Sequence, residues 1–249
     1  MPNPDLIADL LAGVLALLGV ATYHFERWAY RAGAAASRKF LGYAEVTLLL
    51  WTLTATAVWT YGWERLLESP VASGSWLPAP AITGPLSAVV LAGFFLLTLL
   101  PLVQSLRGRR WRRAYQAAIR RVFAETGVPG MIPNDPAERA AWIGVSLTAG
   151  VCEEVLFRGF LIRFLHGGAL DLPLAGALAG SCLCFGLAHV YLGLKGVLRT
   201  AITGFGFGLL YLLSGSLVPC IVLHALMDLQ MVYVMRPISE ETAGIPEAV

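Results

Sequence analysis

The stretch AAWIGVSLTAGVCEEVLFRGFLIRFL, residues 140–165, decides how this chain is read. Apart from Glu153, Glu154, Arg158 and Arg163 it is apolar or small throughout. It is long enough to cross a hydrocarbon core of about 30 Å, which takes roughly 20 helical residues. A charged side chain at the centre of a bilayer costs at least about 2.5–3.5 kcal/mol on insertion scales, so such residues persist where they pair or work. Two further apolar stretches are interrupted in the same way, one by His189 near its end and one by His224 and Asp228. Ionisable groups on three separate hydrophobic segments point to one shared site.

The rest of the chain has the same character. Of 249 residues, 57% are hydrophobic and 14% charged, and the mean hydropathy is +0.68. That is far more apolar than a soluble domain of this length requires. Seven segments are long enough to span: Leu6–Tyr23, Leu41–Trp63, Ile82–Leu106, Ala140–Leu165, Leu172–Tyr191, Val197–Leu213 and Leu217–Met235. The expectation is an all-α, polytopic membrane helical bundle of about seven transmembrane helices, or eight if one is broken or re-entrant. The first segment begins with Asp5 and Asp9 instead of a basic region and lacks a small-residue cleavage pattern, so it reads as a retained helix and not a signal peptide.

Lysine and arginine placement sets the orientation. Arg27, Arg31, Arg38 and Lys39 follow the first segment, the cluster from Arg107 to Arg139 follows the third, Lys195 and Arg199 follow the fifth, and Arg236 follows the seventh. The opposite loops hold Arg65 and Arg163. Cationic loops stay cytoplasmic, which puts the N-terminus outside and the C-terminus in the cytoplasm of a plasma (inner) membrane protein. A net charge of +2 is too small to argue for nucleic acid, and no nucleotide or flavin fingerprint occurs.

The chain is read as one structural domain in three parts: N-terminal helices with a basic cytoplasmic segment over residues 1–139, a site-bearing core over 140–236, and a tail over 237–249. Between Arg109 and Phe123 cations alternate with Trp111, Tyr115 and Ile119, the composition of an interfacial helix. Val128 to Pro136 is a turn-rich break, with Asn134 or Asp135 available to cap the next helix. Gly204, Gly206 and Gly208, and likewise Gly176 and Gly180, allow neighbouring helices to approach. Trp51, Trp59 and Trp63 read as membrane packing and interfacial anchors. Cys152, Cys182, Cys184 and Cys220 all fall in apolar segments without zinc-type or disulfide-type spacing and read as small packing residues.

Glu154 and Arg158 are four residues apart, so on a helix they share a face and can neutralise each other. Glu153 lies about 100° around the helix from Glu154 and has no such partner in its own segment. It is the carboxylate left free to act as general base or acid. His224 and Asp228 repeat the four-residue spacing, so the aspartate can orient the imidazole or share its proton. Taken singly, Glu154 with Arg158 can equally be a structural pair, and His189 a polar helix end. Simple counting puts His189 near the cytoplasmic end of its helix but Glu153 and His224 nearer mid-depth, so either a boundary is off by a turn or a helix is broken.

Together these residues carry a resemblance. Glu153-Glu154-Val155-Leu156-Phe157-Arg158 matches EExxxR, Phe185-Gly186-Leu187-Ala188-His189 matches FxxxH, and His224-Ala225-Leu226-Met227-Asp228 matches HxxxN/D. The region from Ala140 to Met235 resembles the CPBP family of intramembrane glutamic proteases, which includes the type II CAAX prenyl endopeptidases and the Abi bacteriocin-processing proteins. The resemblance implies that Glu153 and His189 activate a water for attack on a peptide carbonyl, that His224 and Asp228 stabilise the oxyanion, and that Glu154, Arg158 and Phe185 support the site. One departure stands out: the prenyl-protein members typically carry asparagine where this chain has Asp228. An ionised aspartate would repel an oxyanion, so Asp228 must be protonated or must polarise His224 instead.

A metal-free mechanism with no cofactor is favoured. Zinc is its nearest competitor, since two histidines and two carboxylates are present but no HExxH pair. The partners implied are a membrane-associated peptide or protein substrate and the lipid bilayer. Prenylated tails, bacteriocin or signalling-peptide precursors and sorting tails all suit the resemblance. A transporter using the buried charges as a relay, and a non-catalytic scaffold or immunity protein, are the readings outside proteolysis.

Overall fold

A computed structural model of the protein describes residues 3–70, 80–126, 128–168 and 170–237. All but the first residue of the tail over 237–249 lies outside the described residues.

The chain opens with α1 (Pro4–Ala29), whose start is capped by the Asn3 side chain accepting the Asp5 N–H at 3.0 Å. Ala8, Leu11, Leu15 and Leu18 are buried, while Leu6, Leu10, Val14, Leu17 and Val20 are exposed. A helix apolar on both faces has protein on one side and needs hydrocarbon on the other. There follow α2 (Ala36–Tyr61), the short α3 (Trp63–Leu67), α4 (Pro80–Leu106) and α5 (Arg109–Ala124). Next come α6 (Pro136–Glu153), a π-helical turn over Glu154–Leu161, α7 (Ile162–Gly167), α8 (Leu174–Ala188), α9 (Gly193–Ser214) and α10 (Val218–Val234).

The architecture is all-α. Among the described residues the only β pairing is a single bridge between Glu68 and Ser216. Among the described residues four runs are long and apolar enough to cross a membrane: Pro4–Ala29, Ala36–Tyr61, Pro136–Gly167 and Val190–Ser214. Of the shorter apolar helices, α8 has 15 residues and α10 has 17. At 1.5 Å per residue they reach about 22 and 25 Å.

The core lies where α1, α2, α8, α9 and α10 pack around the α6–α7 run, with Leu15, Leu156, Phe160, Phe207 and Tyr211 in its central cluster. α6 crosses α10 at Gly150, where a Cβ would come within 2.8 Å of the Ala225 Cβ and backbone nitrogen. The glycine therefore sets the distance between two helices that both carry site residues. Gly204 gives Phe185 room in the same way, whereas Gly206 faces Phe94 on α4. Gly204 and Gly206 of α9 thus serve two different neighbours.

The ends of the bundle separate the charges as the sequence implied. At one end, Lys39 and Glu138 form a buried ion pair at 2.9 Å between α2 and α6. Asp135 caps α6 by accepting the Glu138 N–H at 2.8 Å. α5 turns Tyr115, Ile119 and Phe123 onto Ile132, Val234 and Met235, and its Gln116 amide donates to the Arg236 carbonyl at 2.9 Å. Its apolar face is therefore closed against α10. At the other end, Arg163 donates to the carbonyls of Arg65 at 2.7 Å and Glu68 at 2.8 Å.

The sequence reading assumed α-helical geometry through Glu154 and Arg158, and this is corrected: Glu154–Leu161 is a π-helix. The wider turn takes carbonyls out of the usual α-helical register, and the Phe157 carbonyl instead accepts the Ser181 hydroxyl of α8 at 2.5 Å. Widened turns of this kind occur mostly as short insertions, frequently at functional sites.

Candidate active site

Glu153, Glu154, Arg158 and His189 are placed by the end or the widening of a helix, and His224 and Asp228 by successive turns inside one. Glu153 is the last residue of α6 and Glu154 opens the π turn. His189 caps the C-terminus of α8, and His224 and Asp228 lie on successive turns of α10.

Glu154 is the organising group. It is fully buried, and its Oε1 accepts from Arg158 Nη1 at 2.9 Å and from His224 Nδ1 at 2.6 Å. The expected ion pair with Arg158 is present, and it is dry, since Arg158 is 1% exposed. Buried charges of this kind require a partner and hydrogen bonds together. The Arg158 guanidinium also lies 4.1 Å from the centroid of the Phe185 ring, over its face. Phe185 touches both imidazoles as well, with ring centroids 5.0 Å from His189 and 6.2 Å from His224.

The bond to Glu154 fixes His224. With Nδ1–H directed to the carboxylate, Nε2 is left facing Glu153 Oε2 and Asp228 Oδ2, each at 3.8 Å. Asp228 is therefore near the imidazole but outside hydrogen-bonding distance, and the residue that orients His224 comes from a different helix. The Asp228 backbone carbonyl accepts from the Trp142 indole at 3.0 Å, tying α10 to α6 beside the site.

His189 Nδ1 lies 2.8 Å from the Phe185 carbonyl. A carbonyl can only accept, so Nδ1 carries the proton and Nε2 is the acceptor nitrogen of the neutral ring. The depth difficulty resolves as a break: α8 stops at Ala188, and the chain turns through Val190–Leu192 into α9. His189 thereby sits at the end of a short helix, against the cavity instead of beyond it.

Glu153, His189, His224 and Asp228 line one cavity of about 280 Å³. A side chamber of about 40 Å³ is shared by Glu153 and His189. At about 10–15 Å³ for each water, it holds about three or four. Glu153 Oε2 is enclosed and has no hydrogen-bond partner among the described residues. It lies next to a space sized for water.

The sequence reading missed two carboxylates that line both spaces, Glu26 of α1 and Glu45 of α2. Glu45 lies within an apolar segment, so the rule that singled out Glu153 applied to it equally. The four cysteines are free. Cys220 shows the packing role plainly, donating from Sγ to the Phe207 carbonyl at 3.3 Å.

Residues 136–230 match the family model of the type II CAAX prenyl endopeptidase Rce1-like proteins. This region is similar to that family. No curated protein and no solved structure matches the chain. The Rce1-like region starts at the first residue of α6 and ends within α10, so it contains Glu153, Glu154, Arg158, Phe185, His189, His224 and Asp228. It leaves α1, α2, α4 and α5 outside, and with them Glu26 and Glu45. The protein is thus a helical membrane protein with a region similar to the CAAX-protease type.

Proposed function

We propose that this protein is an intramembrane endopeptidase of the glutamic type, hydrolysing a peptide bond in a membrane-associated protein or peptide. The observation that carries the reading is the enclosed, unpartnered Glu153 Oε2, beside a water-sized chamber shared with His189.

In the reaction, a water is held between Glu153 and the Nε2 lone pair of His189. Glu153 takes one proton as the water oxygen bonds to the carbonyl carbon, and the carbonyl electron pair moves onto its oxygen. His224 donates to that oxyanion from Nε2, which requires the ring to carry both protons, with Nδ1–H retained on Glu154. As the C–N bond breaks, Glu153 returns its proton to the leaving nitrogen, and the carboxylate is restored. Glu154 and Arg158 act by holding His224 and are positioning residues. Asp228, turned toward the cavity from one helical turn beyond His224, serves the oxyanion in its protonated form as a second donor.

No metal or other cofactor enters this reading. The orientation proposed is N-terminus outside and C-terminus cytoplasmic, supported by Lys39, α5 and Lys195 sharing one end of the bundle. The partners are the bilayer and a membrane-tethered substrate, without nucleic acid.

The test is cleavage of a panel of prenylated and unprenylated membrane-tethered peptides by purified protein in detergent. The parent should cleave, chelators should leave the rate unchanged, and Glu153→Gln should lose at least about 100-fold while unfolding at the parent's temperature. Chelator inhibition reversed by zinc would replace the glutamic mechanism with a metal one. Retention of cleavage by a folded Glu153→Gln would remove Glu153 from the chemistry.

A further inference from the structure

α1 and α2 lie outside the Rce1-like region, yet they build part of the wall of the cavity that holds Glu153. Glu26, one turn before the end of α1, and Glu45, near the start of α2, line both the main cavity and the side chamber together with Glu153. Glu26 Oε2, like Glu153 Oε2, is enclosed without a hydrogen-bond partner among the described residues. This wall is held in place: a Cβ on Gly42 would come within 2.6 Å of the Tyr30 ring, so the end of α1 is seated on α2 at closest approach.

Acidic side chains gather on the wall that α1 and α2 build. Glu26 and Glu45 line the cavity with Glu153, His189, His224 and Asp228, and among the described residues Arg199 on α9 is the one lysine or arginine that does so. Arg199 is exposed. The buried cations nearby are already committed, Lys39 to Glu138 and Arg158 to Glu154, each at 2.9 Å. Carboxylates gathered in a poorly screened space repel one another and attract any cation that can reach them. A peptide threaded through the cavity can supply that cation on a side chain.

We propose that Glu26 and Glu45 form a specificity wall of the active cavity and recognise a lysine or arginine side chain close to the scissile bond of the substrate. The inference rests on the endopeptidase reading and deepens it by naming the class of substrate. It also gives the N-terminal helices a function: the Rce1-like region holds the reacting groups, and the preceding helices choose what reaches them. The ammonium or guanidinium group donates to the unpartnered oxygen of Glu26 and to Glu45, and the aliphatic stem lies along Val46 and Tyr43.

The experiment uses the full chain in detergent with membrane-tethered peptides that differ only in one residue, scanned along positions on both sides of the cleavage site. That residue is lysine, norleucine or glutamate. At one position the parent should favour lysine over norleucine by on the order of 10- to 100-fold in kcat/KM, the range of a hydrogen bond to a charged group. The gain should lie mainly in KM, since the wall binds the substrate and leaves the chemistry to Glu153. In the Glu26→Gln/Glu45→Gln double variant the ratio should fall to near one, and Glu45→Lys should favour the glutamate peptide. A variant that merely disturbed the fold would slow all three peptides together and leave the ratios alone. Glu153-dependent cleavage by the parent without a lysine preference at any position would overturn the wall and leave the endopeptidase standing. A preference that survives in the double variant would overturn it equally. No cleavage of any peptide by the folded parent would remove both readings.

Discussion

Removing Arg158 isolates a carboxylate in the driest part of the protein, and the cost can be worked from its surroundings. Glu154 is fully buried and has two partners on one oxygen, Arg158 at 2.9 Å and His224 at 2.6 Å. Arg158→Met keeps much of the side-chain volume against Phe185 but removes the formal counter-charge. Deleting one partner of a buried ion pair costs about 3–5 kcal/mol, and the remaining bond from His224 puts the expected loss near the lower figure. For a chain of this size that is a fall in midpoint temperature of roughly 6–12 °C. Adding Glu154→Gln removes the stranded charge, so the Arg158→Met/Glu154→Gln double variant should regain at least about half of the loss. Peptide cleavage should stay depressed in the double variant, because His224 then lacks the carboxylate that holds it. The assay is thermal unfolding in detergent for the parent, both single variants and the double, with peptide cleavage measured alongside. If Arg158→Met shifts stability by less than about 1 kcal/mol, or if the two substitutions simply add, the pair is not an electrostatic keystone of the fold.

Lys39→Met should destabilise by about 3–5 kcal/mol, since it leaves Glu138 buried without its cation; Lys195→Met, which breaks an exposed pair with Glu125, should change stability by less than about 1 kcal/mol in the same melts. Gly150→Ala should cost about 1–3 kcal/mol by forcing α6 and α10 apart at Ala225, while Gly144→Ala, where an added Cβ meets nothing within 4 Å, should be neutral or slightly stabilising. Asp228→Asn should retain or raise cleavage, because the amide donates without needing a proton, whereas Asp228→Ala should lower kcat by about 10-fold or more; equal activity of all three proteins would take Asp228 out of the reaction.

Much of the fold and the site was legible along the chain, and what was missed has identifiable causes. The spacing of Glu154 and Arg158 marks a pair because both ends of the interaction lie on one helix, where sequence distance is spatial distance. Asp135 as the cap of α6 was readable for the same reason. The spacing of His224 and Asp228 brings the two within 3.8 Å, but the hydrogen bond that His224 makes is accepted by Glu154, 70 residues away. The π turn after Glu153 left no pattern in the residues, because it answers to what lies alongside, a hydroxyl on Ser181 and a crossing at Leu66 against Gly159. Glu26 was passed over because it lies beyond the first apolar segment between His24 and Arg27, and Glu45 because no other acid, base or histidine stands within five residues of it.

By itself the sequence determined a helical membrane protein, the ends of its bundle that carry charge, and the ionisable residues worth examining. These follow from the cost of burying polar groups in hydrocarbon, which is a local property of each segment. Only the tertiary structure decided which of those residues meet. It put His224 on Glu154, ended α8 at His189, and brought two glutamates of the N-terminal helices to the cavity of the Rce1-like region. The physical reason is that hydrogen bonds and charge pairs between helices depend on crossing distance and rotation, which are set by how glycines such as Gly150 and Gly204 let whole helices approach.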